Sequence, residues 1–127
     1  MKPAYVSWAL EDNKKIPEQW VGFDLDGTLA FYDVWKGIEH IGEPIPKMVK
    51  ILKEHLAKGD ICKIFTARVA IDDVDEKELT EEFIQDWCGK HFGQLFEITN
   101  IKDQGMIKLY DDKAVQVNAN TGELVGE

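Results

Sequence analysis

Cysteine is scarce in this chain of 127 residues, which holds only Cys62 and Cys88. Two thiols exclude a disulfide scaffold, and their spacing matches no zinc site, so both read as core fillers. Long apolar runs are also missing: none approaches the ~18 residues of a membrane span. Met1-Lys2-Pro3 leads into no signal-type apolar block. A reduced, cytoplasmic protein with no membrane partner is the expectation. Internal repeats and low-complexity tracts are absent, and the length leaves no room for a second ordinary domain. Positive charge is the last shortage, with 15 Lys and Arg against 24 Asp and Glu and a net charge of -9. No basic stripe with interleaved aromatics runs through it, so a nucleic-acid groove is not expected. Lys47, Lys50, Lys53 and Lys58 read as one exposed helix face.

What the chain does contain is enough apolar material, 44% of residues, for a core without staples. Its acid is concentrated. Between Asp72 and Asp86 stand eight acidic residues and a single lysine, Lys77. This run reads as a solvated helix start favoured by the helix dipole, or as a docking face for a basic partner.

Residues 1–19 are polar and irregular and read as an extension wrapping the domain, anchored by Trp8; residues 20–127 form the domain proper. Trp20 to Leu25 is a short apolar run ending at carboxylates, the pattern of a strand buried on both faces. Leu29 to Gly42, rich in aromatics, reads as a flap. Ile45, Val49, Leu52 and Leu56 recur at the helical period, between Pro44 and Pro46 on one side and Gly59 on the other. Ile61 to Phe65 is a second buried strand ending at Thr66. Asp75 with Glu78 resembles a capping box for a helix with the stripe Leu79, Phe83 and Trp87, ending near Gly89 or Gly93. Phe96 to Thr99 and Ile107 to Tyr110 complete the strands, and Val115 to Val125 reads as a terminal hairpin around Asn120-Thr121-Gly122.

Strands alternating with helices predict a parallel sheet in a Rossmann-like three-layer α/β/α sandwich, with strand order 3-2-1-4. In such sheets the chemistry lies beyond the carboxyl ends of the strands. Here those ends carry Asp24, Thr66, and Asp111 with Asp112.

The segment Asp24-Leu25-Asp26-Gly27-Thr28-Leu29 resembles the signature of the haloacid dehalogenase superfamily of phosphohydrolases. Later segments follow in the family's order. Lys63 to Thr66 resembles the second motif, Lys102 the third-motif lysine, and Asp111-Asp112 the fourth motif. Lys108 is a rival for Lys102, but it falls inside a strand. The short spacing from Lys102 to Asp111 resembles the 5'(3')-deoxyribonucleotidase branch, and the C-terminal half is similar to small members found in bacteriophages.

The resemblance implies that Asp24 is the nucleophile and Asp26 the general acid and base, its backbone carbonyl also touching the metal. It implies that Thr66 and Lys102 bind phosphate and that Asp24, Asp26, Asp111 and Asp112 form the metal site. Which of Asp111 and Asp112 contacts the metal directly is not ordered by the sequence, although Asp112 is favoured.

The residues carry the same argument without the name. Converging carboxylates repel, each close pair by up to ~4 kcal/mol at an effective dielectric near 20. A hard divalent cation relieves this, and an all-oxygen set suits Mg2+ better than zinc. Magnesium favours phosphoryl substrates, one carboxylate can attack phosphorus, and its neighbour can handle protons. Arg68 reads as a contact to a second anionic group of the substrate, or as a plain surface arginine. Tyr32 and Trp35 read as flap packing or as substrate contacts.

A calcium loop is excluded, because the position that needs a bidentate glutamate is Trp35. A response-regulator receiver is excluded by order, since its acidic pair precedes the phospho-acceptor. The gaps Asp26 to Thr66 and Thr66 to Lys102 each hold a core helix, which leaves no room for a cap domain. The expectation is therefore a capless phosphatase with a site open to solvent unless the flap or a second subunit closes it. Its substrate is expected to be a nucleotide or other small phosphomonoester, since the net charge disfavours long polyanions. A polynucleotide-end phosphatase and a catalytically silent binding module remain as alternatives.

Overall fold

The computed structural model describes residues 17–126. The extension expected over 1–19 lies, up to residue 16, outside the described residues. Four strands follow in chain order, β1 (Trp20–Asp24), β2 (Cys62–Phe65), β3 (Glu97–Thr99) and β4 (Met106–Tyr110). The helices are α1 (Pro46–Ala57) and α2 (Val74–Phe92), and a 3-10 turn spans Ala67–Val69. The sheet order is β3-β2-β1-β4 and every pairing is parallel, the order expected from sequence. No helix among the described residues is long and apolar enough to cross a membrane.

The register sorts the strands into two faces. Val21 pairs with Cys62, Phe23 with both Ile64 and Tyr110, and Ile64 with Ile98, so these side chains share one face. Leu52 of α1 and Ile84, Trp87 and Cys88 of α2 join that face in a single core. Phe23, Ile64, Leu52 and Ile84 are fully buried, each stabilising the fold by roughly 1.5–3 kcal/mol. Burial pushes the Cys62 and Cys88 thiols up to about 11 and about 12, which suits inert packing.

Both helices therefore cover the same face, as right-handed crossovers running in one direction require. This corrects the three-layer expectation: among the described residues no helix covers the other face. The reason is length. Only residues 100–105 join the carboxyl end of β3 to the amino end of β4, on the far side of β2 and β1. Extended, they reach about 20 Å, whereas a helical crossover takes about a dozen residues or more. The linker is fixed to β1 where Trp20 Nε1 donates to Asp103 Oδ1 at 2.8 Å and Trp20 N–H donates to Gly105 O at 2.9 Å. Trp20 is buried there, with Lys63 Nζ 4.6 Å above its ring and 3.1 Å from Glu97 Oε2.

Helix α1 begins at Pro46, whose missing N–H costs nothing in the first turn, and stops before Gly59. Helix α2 differs from expectation at two points. Its cap is Asp73, which accepts from the Glu76 N–H at 2.9 Å, not a box of Asp75 and Glu78. Its buried stripe is Thr80, Ile84, Trp87 and Cys88, while Leu79 faces solvent. Thr80 can lie fully buried because its hydroxyl donates to Glu76 O at 2.8 Å, so a polar residue occupies an apolar position. Gly93 ends the helix in the left-handed conformation. The acidic run occupies the solvent-facing first turns of α2.

One partly buried polar relay steadies the sheet end that matters for the site. His55 of α1 lies 2.7 Å from Asp60 through Nδ1 and 3.0 Å from the Tyr110 hydroxyl through Nε2. Its bond to His55 holds the Asp60 carboxyl below its usual range. Tyr110 also stacks on Phe23, ring centroids 4.8 Å apart, which fixes the residue that immediately precedes Asp111. Beyond it, 115–125 turns back on itself, with Val117 bridging Leu124 and Val125 N–H donating to Gln116 O at 2.9 Å.

Candidate functional site

Strand β1 ends at Asp24, and the chain then folds into a tight turn. Gly27 N–H donates to Ala30 O at 2.8 Å and Ala30 N–H to Leu25 O at 2.9 Å. Leu25 and Leu29 are fully buried and anchor the turn in the core. Gly27 is required twice over. Its φ is +90°, and a Cβ there would stand 2.6 Å from Asp112 Oδ2. The glycine thus lets the acidic end of β4 approach the turn.

Thr28 completes that approach, a role the sequence reading did not assign. Its hydroxyl accepts from the Asp112 N–H at 3.0 Å and lies 3.2 Å from Asp24 Oδ2 and 3.3 Å from Asp112 Oδ1. One hydroxyl proton serves two carboxylates. Because β1 and β4 are neighbours, Asp24, Asp111 and Asp112 each bring an oxygen into a group whose members all lie within 4.8 Å of one another. Asp111 Oδ1 is steadied by the Lys113 N–H at 2.9 Å.

This crowding moves Asp24. Burial first, then its hydrogen bond to Asp112 and the charges of Asp111 and Asp112, push its carboxyl from 3.8 to about 7, against a smaller opposing effect of Thr28. The ligand atoms of this cluster are all carboxylate oxygens. That set fits a hard divalent cation such as Mg2+, held by Asp24, Asp111 and Asp112. The Asp26 carboxylate is not in the group.

Asp26 turns instead toward Arg68. The guanidinium donates through Nε to Asp26 Oδ2 at 2.7 Å and through Nη2 to Asp26 Oδ1 at 2.8 Å, a two-pronged ion pair. Nη2 also donates to His40 O at 2.9 Å and Nη1 to Ile38 O at 3.4 Å, while Trp35 lies 4.8 Å from the guanidinium carbon. The Arg68 side chain is only 5% exposed, so it is no plain surface arginine. Its hydrogen-bonding partners are Asp26 and flap carbonyls.

Thr66, 2% exposed, directly follows β2 and caps the 3-10 turn, its hydroxyl oxygen accepting from the Arg68 N–H at 3.2 Å. Among the described residues no acceptor takes the proton of that hydroxyl. Asp24, Asp26, Thr66, Arg68, Asp111 and Asp112 all border one cleft of about 710 Å³. Tyr32, Trp35 and Ile38 of the flap supply part of its apolar lining, with Phe65 and Ile71 among the rest.

Lys102 does not border it. The linker leaves β3 at Thr99 and heads back toward the amino end of the sheet. Asn100 borders the cleft, and Lys102, two residues further along, does not. The lysine that does is Lys113, directly after the acidic pair, which the sequence reading passed over. Its place after Asp111-Asp112, at the end of the strand beside β1, was the available signal. Family models, characterised proteins and solved structures were all compared with this chain, and none matches it.

Proposed function

We propose that the cleft is the active site of a magnesium-dependent phosphomonoester hydrolase of the haloacid dehalogenase type. The observation that carries this reading is the meeting of Asp24 with Asp111 and Asp112 beside Thr66, all at the carboxyl end of a parallel sheet. The domain would be that family's core without a cap, in a cytoplasmic protein, with the flap standing over an otherwise open site.

Bound by Asp24, Asp111 and Asp112, Mg2+ would neutralise the cluster and draw phosphate oxygens to it. An Asp24 oxygen then attacks phosphorus, the ester P–O bond breaks, and Asp26, protonated from solvent at one oxygen that Arg68 releases while the other stays held, gives that proton to the departing alkoxide. A water, its proton taken by Asp26, attacks the aspartyl-phosphate, releasing inorganic phosphate and restoring Asp24. Thr66 donates its free hydroxyl proton to the oxygens of the phosphoryl group in transfer. The positive charge assigned to Lys102 from sequence falls to Lys113 by position. Tyr32, Trp35 and Ile38 favour a flat or apolar leaving group, so a nucleotide or other small phosphomonoester is the substrate class proposed.

A catalytically silent binding module is the second reading, and the position of Lys102 away from the cleft favours it. A phosphatase screen over nucleotides, sugar phosphates and 3'-phosphorylated oligonucleotides separates the alternatives. Hydrolysis of small phosphomonoesters that stops in a chelator is the expected result. Asp112→Asn should weaken magnesium binding, measured by calorimetry, more than it lowers the melting temperature. Full activity in the chelator would remove the metal from the account. Turnover confined to oligonucleotide ends would move the substrate to that class, and binding without turnover would favour the silent module.

A further inference from the structure

Apart from Ile41, which packs against the core, the flap has few fastenings of its own. At its base Phe31 N–H donates to Glu43 O at 2.8 Å and Ala30 bridges Pro44. Trp87 Nε1 of α2 donates to Gly42 O at 3.0 Å, close to that base. Between them, residues 32–41 have a single hydrogen-bonding partner from the body of the domain among the described residues, and it is Arg68, through the carbonyls of Ile38 and His40. The cleft side of this stretch carries Tyr32, Trp35 and Ile38. The same guanidinium grips both oxygens of Asp26, and Trp35 lies against it.

We propose that Arg68 is a positioning residue that couples the seating of the flap to the aim of Asp26. The inference rests on the phosphatase reading for its catalytic consequence, but not for its structural one. Guanidinium geometry is the reason. A planar fork can serve two carboxylate oxygens and two carbonyls at once, whereas an ammonium has no such plane and only three donors. If the flap lifts, the carbonyls of Ile38 and His40 leave, and Arg68 loses the contacts that orient it toward Asp26. If Asp26 disengages, the cation that holds the flap loses its charged partner. Flap and acid thus move as a pair, so the apolar wall of the cleft closes only when the proton-handling residue is held.

Hydrogen exchange tests the coupling directly. In Asp26→Asn the flap amides that donate hydrogen bonds, Phe31 to Glu43 O, Val34 to Asp33 Oδ1 and His40 to Gly37 O, should exchange at least tenfold faster, although the Asp26 carboxylate bonds to no flap residue, while those of α2 stay protected. Arg68→Lys, which keeps the charge and is the safer variant for folding, should do the same. Kinetics supply the second arm. Arg68→Lys should lower kcat on alkyl phosphates by on the order of 10²-fold, the usual cost of a misplaced catalytic group. On p-nitrophenyl phosphate, whose leaving group needs no proton, the loss should be at least several-fold smaller. Wild-type flap exchange in Asp26→Asn would overturn the coupling, and equal losses on both substrates would overturn the positioning role. A chain without phosphatase activity would defeat the functional reading while the exchange arm still decides the coupling.

Discussion

Asp24→Asn should abolish turnover, and Asp26→Asn should only slow it. The amide at position 24 cannot form an acyl-phosphate, so no covalent route remains. In the proposed mechanism Asp26 contributes proton transfer, commonly worth about 10² to 10⁴-fold, and its loss leaves the nucleophile in place. The slow enzyme should recover most on p-nitrophenyl phosphate, since p-nitrophenolate departs without a proton. Steady-state rates on an alkyl and an aryl phosphate, measured for both variants, check this. Normal turnover by Asp24→Asn would end the mechanism.

The same substitution should stabilise the metal-free protein, in a pH-dependent way. Folding raises the Asp24 carboxyl from 3.8 to about 7, so the folded state binds that proton more tightly than the unfolded chain. The sign follows. Below about pH 4 the group is protonated in both states and costs no stability. Between about 4 and 7 the unfolded chain ionises first, and stability falls as pH rises; above 7 the full loss is present. Asparagine has no charge to lose. In a chelator, Asp24→Asn should therefore gain on the order of 1–2 kcal/mol at pH 8, after allowing for solvent screening of this half-buried group. That is about 4–8 °C in melting temperature. The gain should vanish near pH 4. An equal gain at both pH values would assign it to packing, not to charge.

The fold could be read from sequence where burial is written in the residues themselves. Trp20 to Leu25 and Ile61 to Phe65 are apolar runs punctuated by glycine and polar strand ends, and both are strands within a residue of expectation. Pro46 and Gly59 bound α1 as their backbone preferences dictate. Reading failed where a partner satisfies a residue of the wrong type. Thr80 is buried only because Glu76 O takes its proton, so a count of apolar residues shifts the face of α2 onto Leu79. Among the described residues the expected third layer is missing because of length, since the short linker 100–105 has no room for a helix.

The site divides the same way. Asp24 and Asp111-Asp112 sit at ends of strands whose order the connections dictate, and the structure brings them together. The grip of Arg68 on Asp26 joins residues 42 apart in sequence through side chains alone, and no periodicity signals it. Lys102 was assigned by resemblance and by its place in the loop after a strand end, but its position depends on the direction of a linker that composition does not reveal.

The central claim is that Asp24 carries the phosphoryl group. Enzyme quenched in acid during turnover of a small phosphomonoester with magnesium, then digested and sequenced by mass spectrometry, tests it most directly. The account predicts a phosphoryl adduct on the peptide containing Asp24, located at that side chain and absent from Asp24→Asn. An adduct on any other residue would contradict it.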